Sequence, residues 1–306
     1  MKPLRIIAAA ASMLVAALCG IGAQVSSSQP PVAAAHATVA AAWPWVPNGG
    51  DPGPFVLPSQ ETSLPAKAPL ARWSYGWPLK PFGQPHPVRA YLDDPRIAGN
   101  LGSRTFHFGI DISALPGTPV FAIEAGKTWV HYSTVYVRSG TTTFEYWHIV
   151  PAVKSHRLVL RHTLLGRVRA GFNHVHLSER QFGRYVNPLR VGGIGPFSDS
   201  TAPQVLKLTF RSHDRRVEPT AVKGTVNLVA DAADVAAGVT PAPWPVTPSL
   251  LRWRITRGGR VAIGWHTAYD FRLGVLPTSG FDSVYAEGTR MNHPGQPGYY
   301  CFLPRA

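Results

Sequence analysis

The chain is poor in cysteine, in acidic residues and in long hydrophobic runs, and each shortage narrows what it can be. Its 306 residues hold two cysteines, Cys19 and Cys301. Cys19 lies in an apolar stretch near the start, so a mature chain without that stretch keeps one cysteine and forms no internal disulfide. Stability must then come from packing, or from a metal. Leu18 stands before Cys19 where a lipidation site needs a small residue, which argues against a lipid anchor. Acidic residues number 16 against 30 Lys and Arg, a formal net charge of +14. Such a chain is drawn to anionic polymers or surfaces. Nucleic acid is not the expected partner, because the basic residues are scattered and no nucleic-acid-binding motif is present. The apolar run from Ile6 to Cys19 is too short for a comfortable membrane span of ~20 residues. It follows Lys2 and Arg5 and precedes small residues around Gly20 to Ala23, so residues 1–23 read as a secretory signal, with an uncleaved anchor as the alternative. Charged residues make up only 15 %, against 30 Pro and 29 Gly, which disfavours long charged helices and points to short strands joined by turns.

What is present falls into four segments. Residues 24–72 are Pro- and Ala-rich and read as an extended linker, with Trp43 and Trp45 as its aromatic exceptions. From Trp73 the pattern becomes β-like. Strand-length, turn-bounded runs occupy 118–124, 128–137 and 141–150, and 158–168 holds a pair of short runs around Gly166. The Gly- and Pro-rich stretch 187–203 marks a boundary. Beyond it, 205–210, 222–229, 250–255 and 261–265 alternate as further strands, and a small sandwich is the expected form. The expected fold class is all-β: an antiparallel β-sheet domain over 73–200, then a β-sandwich-like domain over 201–306. Trp253, Trp265, Tyr299 and Tyr300 are expected mainly to fill that second core, with surface binding as the alternative.

The chemistry sits in two short motifs, His107-Phe-Gly-Ile-Asp111 and His174-Val-His176, with His148 between them in Tyr146-Trp-His148. Imidazole and carboxylate suit a divalent zinc ion, and three such ligands with an open position make a catalytic rather than a closed site. Neither motif is specific alone. With 12 His and 10 Asp, a chance His-x-x-x-Asp is expected about 0.4 times, and His266-Thr-Ala-Tyr-Asp270 is such a match with no partner His-x-His nearby. Context adds weight. On a strand His174 and His176 point the same way, Gly109 removes bulk between His107 and Asp111, and Ile110 and Ile112 pack away from Asp111.

Four segments in order carry a resemblance: His107 to Ile112, Gly117-Thr-Pro-Val-Phe-Ala122, Tyr146-Trp-His-Ile149 and His174-Val-His-Leu177. Over about Trp77 to Pro196, the chain resembles the LytM/lysostaphin-type zinc metallopeptidases. The resemblance implies that His107, Asp111 and His176 bind one Zn2+ and that His148 and His174 form the catalytic pair, their separate roles left open. It implies hydrolysis of peptide bonds in bacterial peptidoglycan by a metal-activated water. The signal-like N-terminus and the net charge of +14 agree independently with an exported, wall-associated protein drawn to anionic wall polymers, and a monomer is expected. Phe172-Asn173 departs from the small, Gly-rich approach to the His-x-His, so substrate access is expected to differ. The alternative is a catalytically silent relative that binds the wall or activates another hydrolase.

Overall fold

The computed structural model describes residues 74–97, 104–197, 199, 201–212, 215–218, 226–235, 245–257, 259–291 and 300–303. The signal expected at 1–23 and the linker expected at 24–72, with Cys19, Trp43 and Trp45, lie outside them. The described strands before residue 190 are β1 (Val88–Ala90), β2 (Pro95–Ile97), β3 (Arg104–Phe106), β4 (Ile110–Ser113), β5 (Pro119–Phe121), β6 (Gly126–His131), β7 (Thr134–Ser139), β8 (Thr142–Trp147), β9 (Ile149–Pro151), β10 (Leu158–Val159), β11 (Leu164–Val168), β12 (His174–Gln181) and β13 (Arg184–Val186). There follow β14 (Gln204–Ser212), β15 (Arg215–Val217), β16 (Asn227–Val235), β17 (Pro245–Val246), β18 (Leu250–Arg257), β19 (Arg260–Asp270), the one-turn helix α1 (Phe281–Val284) and β20 (Tyr300–Leu303). The architecture is all-β and its strand pairs are antiparallel.

The main sheet runs β1-β4-β12-β8-β7-β6-β10, with β13 also pairing β12. One face packs on the small sheet β5-β11-β9. Between them lies a core that includes Ile110, Ile112, Val120, Phe144, Tyr146, Leu165, Val175 and Leu177. The period of two along each strand turns the intervening residues, Asp111 on β4 and His174 and His176 on β12, to the opposite face. Within the core side of β12, Glu179 is fully buried and takes two hydrogen bonds from Arg190, at 2.7 and 2.8 Å.

Two runs expected as single strands are broken. Residues 128–137 form the hairpin β6–β7, which reverses at Tyr132 with φ of 48°. The tight turn contains no Gly, Asn or Asp, so its usual sequence signal is missing. The run 141–150 breaks at His148, whose φ of 64° separates β8 from β9.

In the C-terminal part, β14, β15, β16, β17 and β20 form one sheet and β18–β19 a hairpin. Ala230 and Ala233 of the sheet share a core with Leu251, Trp253 and Tyr269 of the hairpin and with Phe271, Phe281 and Tyr285. Trp253 is buried there, whereas half-buried Trp265 lies beneath Arg252 and Arg254. Tyr299 and the side chain of Tyr300 lie outside the described residues. This core also receives Phe106 of β3, so the two parts of the chain interlock. Their seam is polar as well: the Thr247 N–H donates to Asp94 (2.8 Å), and the Tyr285 hydroxyl donates to the Asp93 carbonyl (2.8 Å).

Candidate metal centre

The centre forms where β4 and β12 lie side by side. The register sets His176 opposite Asp111 on one side and Trp147 of β8 on the other. His107 enters from the short passage between β3 and β4. That passage lies so close to β12 that a Cβ on Gly109 would fall 2.5 Å from the Leu177 carbonyl oxygen and 2.8 Å from His176 Nε2. Glycine is therefore a steric requirement of the site.

His107, Asp111 and His176 come together, each buried, and their potential ligand atoms all lie within 4.8 Å of one another. His107 Nε2 is 2.8 Å from His176 Nδ1, and Asp111 Oδ1 is 3.2 Å from the first and 3.1 Å from the second. The donor set fits zinc. Bonds of ~2.0–2.1 Å in a tetrahedron separate neighbouring ligand atoms by ~3.3 Å, close to what is seen. The outer nitrogens are also engaged as metal-bound imidazoles require. His107 Nδ1 sits 2.8 Å from the Tyr91 carbonyl, which can only accept, so Nδ1 carries the proton and Nε2 turns a lone pair inward. His176 Nε2 meets the Ser178 hydroxyl at 2.8 Å.

The other two histidines flank this cluster. His174 Nε2 is 3.6 Å from Asp111 Oδ1, and its Nδ1 is buried without a hydrogen-bond partner among the described residues. The rings of His148 and His174 meet edge-on with centroids 4.7 Å apart. Phe172, the departure expected to alter access, stacks on His148 at 4.2 Å and 11° and so fixes its plane. Burial pushes the His174 pKa well below its ordinary value, and the Arg89 cation adds to this. Its ring is neutral at pH 7. Burial opposes ionisation of Asp111, but the close approach of the His107, His174 and His176 imidazoles outweighs it and holds the carboxyl well below its usual range.

Three further features complete the site. Arg96 Nη2 donates to Asp111 Oδ2 at 3.0 Å. Phe108, Trp147 and Tyr185 form a wall against which Val275 of the C-terminal part packs, and Phe108 lies 4.7 Å from the His176 ring. Buried Glu145 accepts from Trp147 Nε1 (3.3 Å) and the Tyr185 hydroxyl (3.3 Å), which ties that wall to the sheet. Phe108 and Trp147 stand inside the quoted motifs and Ser178 is the next residue on the face of His174 and His176, so these three had a sequence signal. His266 and Asp270 do not meet: His266 stacks on Trp253, and Asp270 pairs with Arg272 at 2.7 Å.

No protein-family model matches the chain, and no curated protein matches it. Solved structures similar to it include a zinc containing peptidase from Vibrio cholerae, at 18 % identity over 41 % of each chain and a TM-score of 0.33. Csd3 from Helicobacter pylori is 19 % identical over 39 % of this chain and 35 % of its own, with a TM-score of 0.32. The catalytic domain of the antimicrobial peptidase lysostaphin from Staphylococcus simulans is 22 % identical over 31 % of this chain and 80 % of its own, with a TM-score of 0.27. The likeness to Csd3 and the Vibrio peptidase thus spans 35 % and 41 % of those chains. At such scores these likenesses carry no functional weight, and what the centre does is read from its own residues.

Proposed function

We propose that this protein is an exported zinc metalloendopeptidase of LytM/lysostaphin type that hydrolyses peptide bonds in bacterial peptidoglycan. The observation that carries this reading is the convergence of His107, Asp111 and His176, with two more imidazoles beside them. The order of the four sequence segments and the N-terminal signal support it.

In this reading His107 Nε2, Asp111 Oδ1 and His176 Nδ1 hold the ion. Bound zinc supplies a water of pKa ~7 and polarises an amide carbonyl. His174 and His148 lie beside this centre, where they would hold an attacking water, accept its proton and return one to the leaving amine. The stack on Phe172 keeps His148 in the plane it needs. The same face of the sheet continues outward from Ser178 through Glu145, Tyr136 and Trp129 by direct cross-strand pairing, with Trp147 beside Glu145 on β8 and Lys127, Arg138 and Arg180 along the face. An aromatic and cationic floor of this kind suits an anionic wall fragment, as does the net charge of +14.

One observation favours a second reading. All five residues are buried, none more than 8 % exposed, as in a centre kept for structure by a silent protein that binds the wall or activates another hydrolase. Two experiments test the proposal. Zinc content should be about one per chain and fall to background in His176→Ala. The purified protein alone should cleave purified peptidoglycan; zinc without cleavage would favour the silent reading.

A further inference from the structure

The two oxygens of Asp111 have different company. Oδ1 faces the three imidazoles, at 3.2 Å from His107, 3.1 Å from His176 and 3.6 Å from His174. Oδ2 faces away and receives the guanidinium of Arg96 at 3.0 Å. Both side chains are nearly buried, at 12 % and 10 % exposure, so solvent screens this charge-assisted bond little. An aspartate's terminal torsion is broad and two-fold, so an untethered carboxylate can swing either oxygen, or both, toward a cation.

Arg96 is itself held. It lies on β2, which pairs with β3 through Arg96↔Thr105. Ile97 packs against the C-terminal core, and Phe106, fully buried, stands inside it beside Phe271, Phe281 and Tyr285. At the hairpin's outer edge, Arg104 pairs with Asp282 at 2.8 Å. The strand that delivers Arg96 to Asp111 and the residue just before His107 are thus both gripped by the C-terminal part.

We propose that Arg96 is a positioning residue of the metal centre, which occupies Asp111 Oδ2 and leaves Oδ1 as the single carboxylate oxygen offered to the ion. The inference rests on the zinc reading above. It gives the C-terminal part a defined role, in which its core fixes the hairpin, the hairpin fixes Arg96, and Arg96 fixes a ligand. Two effects on metal affinity oppose each other. A guanidinium near a divalent cation repels it, whereas a pre-oriented ligand binds more tightly. Loss of a residue that orients a ligand typically costs about 10–100-fold in metal affinity, and the proposal requires that this effect win.

The test uses the full chain with zinc, then cobalt, as probes. Zinc affinity is measured by competition with a chromogenic chelator for wild type, Arg96→Lys and Arg96→Met. Lysine keeps a charged donor for Oδ2, while methionine keeps an apolar stem and removes the donor. Arg96→Met is expected to bind zinc about 10–100-fold more weakly, with Arg96→Lys much closer to wild type. The visible spectrum of bound cobalt, which reports coordination, is expected to change in the methionine variant because Oδ2 is free to join the ion, and to be preserved in the lysine variant. Arg96→Leu, which also lacks a donor, gives the same reading if the methionine variant does not fold. Unchanged or tighter zinc binding in Arg96→Met, or equal cobalt spectra in all variants, would overturn the proposal. A wild type that takes up neither ion would instead sink the zinc reading itself, and this inference with it.

Discussion

Gly109→Ala probes the closest contact in the metal centre. The added Cβ would lie 2.5 Å from the Leu177 carbonyl oxygen and 2.8 Å from both His176 Nε2 and Ser178 Oγ. Real Cβ contacts essentially never fall below 3.0 Å, so the passage must retreat from β12 by at least 0.5 Å, the difference between 3.0 and 2.5. The Leu177 oxygen cannot yield cheaply, because Leu177 pairs with Ile110 on one side and Tyr146 on the other. His107 and Asp111 flank Gly109 two residues away on either side and would move with it. Replacing Gly by Ala favours the folded state by about 0.4–1 kcal/mol where the backbone accepts it. Overpacking opposes this by about 1–3 kcal/mol. A net loss is expected, lowering Tm by a few degrees at ~2–4 °C per kcal/mol. Zinc affinity should fall by about tenfold or more, as for other disturbances of ligand placement. Thermal unfolding by circular dichroism and a chelator competition measure both. Gly83→Ala, where an added Cβ meets nothing within 4 Å, is the control and should stay within about 0.5 kcal/mol of wild type. If Gly109→Ala matches that control in Tm and in zinc affinity, the steric account of the passage is wrong.

Other expectations follow from the same geometry. Arg190→Met leaves the fully buried carboxylate of Glu179 without its counter-charge, with only the Gln181 amide still donating to it at 2.9 Å among the described residues, and should cost about 3–5 kcal/mol in urea unfolding, whereas a loss below about 1 kcal/mol would mean the pair is dispensable. His148→Ala should keep its zinc and lose hydrolysis of wall peptides, and full activity would remove His148 from the mechanism. Trp129→Ala on the half-exposed sheet face should weaken pelleting with insoluble peptidoglycan while leaving zinc content unchanged. Binding of the wild type should itself weaken as salt rises, and salt-independent binding would count against the cationic floor.

Much of the fold was legible because strands announce themselves by alternation. Ile110, Ile112, Val175 and Leu177 against Asp111, His174 and His176 is a two-face pattern, and the paired register of β4 and β12 follows it. What escaped was set by tertiary contact. The turn at Tyr132 contains no Gly, Asn or Asp. The backbone break at His148 sits inside a run of β-formers, and it is stabilised from outside, by Phe172 on its ring and by the Arg169 N–H on its carbonyl. Arg96 stands eleven positions before His107 with no motif to mark it, and only the β2–β3 pairing and the core around Phe106 bring it to Asp111. The aromatic wall of Phe108, Trp147 and Tyr185 is dispersed over the sequence in the same way, and its contact with Val275 depends on how the C-terminal part docks.

The measurement that bears most directly on the zinc-peptidase reading is the release of free amino groups from purified peptidoglycan by the protein alone, loaded with one equivalent of zinc. The reading predicts a steady rise in new amino termini that disappears on chelation, returns with zinc, and is absent in His176→Ala. A zinc-loaded, folded wild type that releases none would contradict it.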